Sequence, residues 1–266
     1  MEKIEIKAAA FDVDGTLLPR GYQEILPSTE RALTKLRQDG ILLILASGRP
    51  FYKLPEQLTS SVIFDYYICC AGACILSSKR DVLLEEKIPA DTCNEMIADI
   101  LAENGVICLH MLKEEHVVAK KETADRYSKY LMFEEYVEEF QVKEGQEPNN
   151  LTIYIPESDE DAMQRKYADC TFYRVSDMGL FDVVKKGVSK QSGLEAIERR
   201  ISCSPANIIF FGDDHNDRES IQKCGLGIAM GNAVEEVKKE ADYVTDNCEK
   251  DGIEKALIRY GFLEYE

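Results

Sequence analysis

The chain has 266 residues, enough to bury a sizeable core as one large domain or two modest ones. Its 49 acidic residues against 32 basic give a net charge of -17, which repels nucleic-acid backbones and anionic membrane surfaces alike, so neither is an expected partner. The nine cysteines form no paired metal pattern, their odd number cannot all pair within one chain, and no stretch approaches the roughly 18 apolar residues of a membrane span; with a charged start at Met1 to Lys7, a cytoplasmic protein is expected.

The first apolar segment, Ile4, Ile6 and Ala8 to Phe11, breaks at Asp12-Val13-Asp14-Gly15-Thr16, which predicts a buried strand ending in a polar turn. Pro27-Ser28 opens a helical pattern carrying Ala32, Leu33 and Leu36, and Gly40 stops it. The run Ile41 to Ala46 predicts a second strand, ending at Ser47-Gly48-Arg49-Pro50, where Ser47 can cap a helix starting near Pro50. A further helical stretch leads to the apolar Tyr66 to Ala71, in which Cys69 and Cys70 read as core residues. Strands are expected again at Asn207 to Phe211, Gly227 to Met230 and Tyr243 to Thr245. This alternation predicts an α/β fold with a doubly wound parallel sheet.

The middle has a different texture. Leu151 to Ile155 and Thr171 to Val175 alternate with period two, and helical patterns lie near Asp91 to Asn104 and Asp159 to Ala168. An α+β unit at residues 83–182 is therefore expected as an insertion into a core formed by 1–82 and 183–266. The Glu-rich Phe133 to Glu147 reads as an exposed helix and loop. His110 and His116 lack ligand-like spacing and read as ordinary strand residues.

Three polar clusters sit where apolar strands end: Asp12 to Thr16, Ser47 to Arg49, and Gly212-Asp213-Asp214-His215-Asn216-Asp217. Ligands bind at that end of an open α/β sheet. Each cluster alone can be a turn, but carboxylates from two strand ends, once brought together, repel unless a cation joins them. An all-oxygen donor set favours Mg²⁺. A cation also offsets the repulsion between an attacking carboxylate and a phosphate dianion.

Asp12-Val13-Asp14-Gly15-Thr16 resembles the DxDGT signature of haloacid dehalogenase superfamily phosphatases. Ser47-Gly48-Arg49, Lys190 in Lys186 to Lys190, and Gly212 to Asp217 resemble the second, third and fourth motifs in order, and Gly225 to Ala233 is similar to the tail of the Cof-type branch. The resemblance implies a Rossmann-like core with an inserted cap, and hydrolysis of a small phosphorylated metabolite through an aspartyl-phosphate. It implies Asp12 as nucleophile and metal ligand, and Asp14 as general acid/base and carbonyl ligand. Thr16 is implied to orient the loop, Ser47, Gly48 and Asn216 to meet phosphate, and Lys190 to balance charge. Asp213 is implied as a metal ligand, and Asp217 as a ligand or its support.

Arg49 is expected in a structural ion pair, with an approach to substrate as the alternative, and His215 in a structural or peripheral role. Two departures stand out: Ala71 replaces the usual Asn of Asn-Gly-Ala, and Asp214 replaces a Gly. On the inserted unit, Tyr154, Tyr173, Arg174 and Asp182 are candidates for reading the leaving group, with core packing an equal alternative for each. A phosphosugar mutase and a non-catalytic phosphometabolite sensor are the competing functions, and the oligomeric state stays open.

Overall fold

The computed structural model describes residues 5–61, 64–155, 160–176, 178–201 and 203–264. Ile4 and Asp159, which open two expected elements, lie outside them. The chain divides into two compact units, residues 1–49, 53–84 and 189–266 in one and 50–52 with 85–188 in the other.

In the first unit the strands are β1 (Ala8–Phe11), β2 (Leu42–Ala46), β3 (Tyr66–Cys69), β4 (Cys74–Ser77) and β5 (Val82–Glu85), with helix α1 (Pro27–Gln38) between the first two. The second unit carries α2 (Ala90–Ala102), β6 (Val106–His110), β7 (Glu115–Ala119), α3 (Lys121–Leu131), β8 (Asn150–Tyr154), α4 (Glu160–Lys166), β9 (Cys170–Ser176) and β10 (Leu180–Lys185). The chain then returns to the first unit through α5 (Lys190–Ile201), β11 (Ile208–Gly212), α6 (Arg218–Lys223), β12 (Leu226–Ala229), α7 (Glu235–Glu240), β13 (Tyr243–Val244) and α8 (Gly252–Arg259).

The first sheet has the order β13-β12-β11-β1-β2-β3-β4-β5, parallel from β13 through β3, with β4 antiparallel to β3. β1 is central, and its three alanines let neighbours approach closely. Ala8 and Ala10 join Ile44, Ile68 and Phe210 in a cluster that receives Leu194 and Ile197 of α5, Ile221 of α6 and Val237 of α7. Phe11 points to the opposite face and stacks on Phe211 at 5.1 Å between centroids. Burial on both faces explains why these strands read as unbroken apolar runs. All parallel strands therefore deliver their carboxyl ends to one edge, and that edge carries the site.

The second sheet has the order β7-β6-β8-β10-β9 with antiparallel pairing throughout. One face packs Met96, Ile97 and Ile100 of α2 against Ile107, Leu109, Leu151, Ile153 and Val183. On the other, Tyr127 of α3 sits 4.7 Å from the Tyr154 ring. The expected boundary at 182/183 falls inside β10, because β10 pairs along its whole length with β9.

Several sequence readings change. After Ser47 there is no α-helix at Pro50; a 3₁₀ turn at Phe51–Lys53 and a π-helical turn at Gln57–Ser61 take its place. Residues 133–147 form no helix. Phe133 and Tyr136 pack beside Tyr154, Val137 bridges to Val118, and buried Val142 is held by the Asn94 side chain, so side-chain burial at irregular spacing overrides the acidic pattern. α3 lies just before this segment and was not expected. Tyr154 is a core residue rather than a reader of ligand, only 4% exposed. Tyr173 and Arg174 cannot share a face: Tyr173 lies in register with Asp182, whereas Arg174 is the partner of Phe181 and lies over its ring. Tyr173 donates to the Val188 carbonyl and Asp182 accepts from Thr152.

Candidate active site

β1 ends by placing Asp12 at the edge of the sheet, 6% exposed, with its amide donating to the Phe211 carbonyl of the neighbouring strand end. Gly15 then takes φ +88°, and a Cβ there would stand 2.2 Å from Asp213 Oδ2. Glycine is needed both for the turn and for the close approach of the two carboxylate-bearing loops. Thr16, fully buried, donates from Oγ1 to Asp213 Oδ1 at 3.2 Å.

The loop after β11 is held from within. Asp217 Oδ2 accepts from the amides of Asp213 and Asp214 at 3.0 and 3.1 Å, and its Oδ1 accepts from Lys190 at 2.7 Å. Asp214 caps the 3₁₀ turn His215–Asp217, so the departure from glycine acquires a local role, and its carboxylate meets Arg20 at 3.4 Å. His215 is exposed and contributes its amide to that cap.

Lys190 opens α5 and is 1% exposed, with Nζ 2.5 Å from Asp12 Oδ1. Burial alone would depress the ammonium, but Asp12 and Asp217 hold it above its ordinary range. Burial pushes the Asp12 carboxyl up, Lys190 pulls it back, and Asp217, Asp213 and Asp14 push it up again; the result lies above the usual carboxylate range. Burial, followed by the Asp217 charge, lifts Asp213 to about 7. Ligand oxygens of Asp12, Asp213 and Asp217 all lie within 4.8 Å of one another. The cluster thus has excess negative charge, an all-oxygen donor set and metal-ligand spacing, and it can hold a metal.

Asp14, two residues along, faces a different environment. Its side chain is 46% exposed and bound by both arms of Arg49, Nε at 2.7 Å and NH2 at 2.5 Å. Ser47 is 1% exposed, and its Oγ accepts from the Arg49 amide, which bends the loop at Gly48. Asn216 keeps a buried Oδ1 with no hydrogen-bond partner.

Two further residues shape the site and were not singled out from sequence. Asn232 donates to the Gly15 carbonyl at 2.8 Å and approaches Asp213 Oδ2 at 3.4 Å, while its Oδ1 accepts from the Cys248 amide. It lies inside the Gly225 to Ala233 motif, which was the available signal. Arg20 approaches Asp213 Oδ2 at 3.5 Å and carries no motif. Ala71, the departure already visible in the sequence, has a left-handed conformation (φ 52°, ψ 29°), as does Cys70 before it. Its amide donates to Ser47 O and that of Cys70 to Arg49 O, so this strained turn braces the Ser47 loop. Gly72 at φ +109° completes the turn, with Ser189 O where a Cβ would be.

A family model described as haloacid dehalogenase-like hydrolase matches residues 9–257. The chain belongs to this family. Among similar solved structures is a sugar phosphatase of subclass IIB, 28% identical, with a TM-score of 0.84 over 97% of this chain and 100% of that one. A 5-amino-6-(5-phospho-D-ribitylamino)uracil phosphatase from Bacillus subtilis is 25% identical, covering 96% of each chain. A putative bifunctional phosphatase/peptidyl-prolyl cis-trans isomerase from Streptococcus pyogenes is 27% identical; the match takes in 98% of this chain but 55% of that one, about half its length. The hydrolase is a Cof-type phosphatase, a phosphoric monoester hydrolase, with a parallel-dominated α/β core and an inserted cap. No helix among the described residues is long and apolar enough to cross a membrane.

Proposed function

We propose that the hydrolase cleaves a small phosphomonoester, a sugar phosphate, nucleotide or cofactor phosphate, in two steps through an aspartyl-phosphate on Asp12. The observation that carries this reading is the contrast between two carboxylates of one turn. Asp12 is buried against Lys190, whereas Asp14 is half-exposed and held by Arg49. The Lys190 ammonium 2.5 Å from Asp12 favours the ionised, attacking form of that carboxylate, whereas the more exposed Asp14 is open to the leaving group and to water.

In the first step an Asp12 carboxylate oxygen forms a bond to phosphorus as the bond to the ester oxygen breaks, and protonated Asp14 delivers its proton to the departing alkoxide. In the second, Asp14 takes a proton from water as that water attacks phosphorus, and Asp12 leaves as the carboxylate. Arg49 must release Asp14 for either transfer. Lys190 offsets charge on Asp12 and the phosphoryl oxygens, and Ser47, the Gly48 amide and Asn216 face those oxygens. Asp12, Asp213 and the Asp14 carbonyl would hold Mg²⁺, which supplies charge neutralisation and orientation of the phosphoryl group. Asp217, whose oxygens already accept from two amides and Lys190, supports this set.

The test is phosphate release from a panel of small phosphoesters, with and without Mg²⁺, for wild type and Asp12→Asn. We expect Mg²⁺-dependent release that falls by about 10³-fold or more in the variant. Turnover that survives in Asp12→Asn would sink the covalent route. Binding without release by the wild type would favour a sensor, and phosphate transfer between sugar positions would favour a mutase.

A further inference from the structure

We propose that Cys108, His110 and Glu115 form a second metal site, for a borderline transition cation of the Zn²⁺ type, on the antiparallel sheet of the inserted unit. Strand pairing creates it. Cys108 and His110 alternate to the same face of β6, and β7 sets Glu115 directly across from His110.

The distances fit one small cation. Glu115 Oε2 lies 3.3 Å from His110 Nδ1 and 3.3 Å from Cys108 Sγ, and Sγ lies 3.8 Å from Nδ1. Zinc bonds of about 2.0–2.3 Å to nitrogen, oxygen and sulfur at tetrahedral angles give edges of about 3.4–3.6 Å. Each observed edge is within about 0.3 Å of that range.

His110 is 3% exposed, and its Nδ1 also has the Tyr52 hydroxyl at 3.2 Å. One ring nitrogen therefore faces a thiol, a carboxylate and a phenol, while its single N–H or lone pair serves one of them. A cation serves several at once. The opposite ring nitrogen is already arranged for a metal-bound tautomer. Nε2 lies 3.0 Å from Thr152 Oγ1, and Thr152 donates to Asp182 Oδ1 at 2.8 Å. A ligating histidine is oriented in this way, with its remote N–H passed to an acceptor that is itself anchored.

The neighbouring strand β8 also leaves a polar side chain unmet. Asn150 is the β8 residue in register with His110, it is 1% exposed, and neither its amide nitrogen nor its oxygen has a hydrogen-bond partner. Buried amides are rarely left unmet, so a polar ligand or water is also called for on this side of His110.

Binding converts the Cys108 thiol to a thiolate, a sulfur–metal bond forms, and the proton passes to solvent by way of Glu115, whose side chain is 26% exposed. No electron moves. The cation would pin the β6–β7 hairpin across its 111–114 turn. Thiol and imidazole donors separate this site from the all-oxygen cluster around Asp12.

The test is Co²⁺ titration of the full chain after chelator treatment, in saturating Mg²⁺. Wild type is expected to take up Co²⁺ with a thiolate-to-cobalt charge-transfer band that Zn²⁺ bleaches stoichiometrically. Cys108→Ser should lose the band, Glu115→Gln should keep it with affinity weakened at least about tenfold, and Asp12→Asn should keep it unchanged. Zn²⁺ should raise the melting temperature of the wild type but not of Cys108→Ser. Absence of the band in wild type, or a band that survives Cys108→Ser through another cysteine, overturns the proposal. Because Glu115→Gln retains the thiol, it decides the matter should Cys108→Ser fail to fold.

Discussion

The two units build their titratable clusters by opposite means. Around Asp12 the carboxylates arrive at the ends of parallel strands, in short contiguous motifs, and a fully buried lysine is part of the assembly. Around His110 the groups arrive sideways, across an antiparallel ladder. A strand end gathers what lies next to it in sequence; a ladder gathers what lies in register with it.

The comparison breaks most readily at Lys190. Replacing it with Met strands Asp12 and Asp217 without their buried partner. Urea unfolding at neutral pH without metal should show a loss of about 3–5 kcal/mol. A loss below about 1 kcal/mol would mean that the carboxylates do not depend on it.

Next in size is the response to pH. Asp213 keeps its proton in the folded, metal-free protein up to about pH 7, against an ordinary value of 3.8. The folded state thus binds the extra proton between those limits, and stability present below them is lost as pH rises towards 7. Metal replaces that proton, so the Mg²⁺-induced gain in melting temperature should be larger at pH 8 than at pH 6. Equal gains would remove Asp213 from the cation's surroundings.

The smallest effect sharpens the picture of how the strand-end site is braced. Ala71 pays for its left-handed backbone by about 1–2 kcal/mol. Glycine removes that strain but loses more backbone entropy on folding, so Ala71→Gly should stabilise by about 0.5 kcal/mol. A clear destabilisation in chemical unfolding would show that the methyl group contributes packing that outweighs the strain.

The same contrast explains what could be read from the sequence. The parallel strands announced themselves as apolar runs, and the ends of those runs carried Asp12, Ser47 and Asp213, so proximity in the chain stood in for proximity in space. Asn232 and Arg20 escaped notice because their roles depend on where loops fold back. His110 was set aside on linear spacing alone, whereas its neighbours Glu115, Thr152 and Asn150 come from strand register, which sequence does not fix. The acidic Phe133 to Glu147 suggested a helix because charge pattern is visible and the burial of Val142 is not. Asp214 looked like a loss of glycine until its capping bond was seen.

The place of β1 at the middle of its sheet also has a bearing on synthesis. Ala8 pairs with Ile208 on one side, and Thr16 waits for Asp213, a separation of 197 residues. During translation the inserted unit, residues 85–188, is complete before that partner strand leaves the ribosome. The nascent chain therefore carries an unpaired edge of β1 until β11 emerges. A ribosome stalled before β11 would display this edge, and the arrival of β11 decides when the protein first becomes an enzyme.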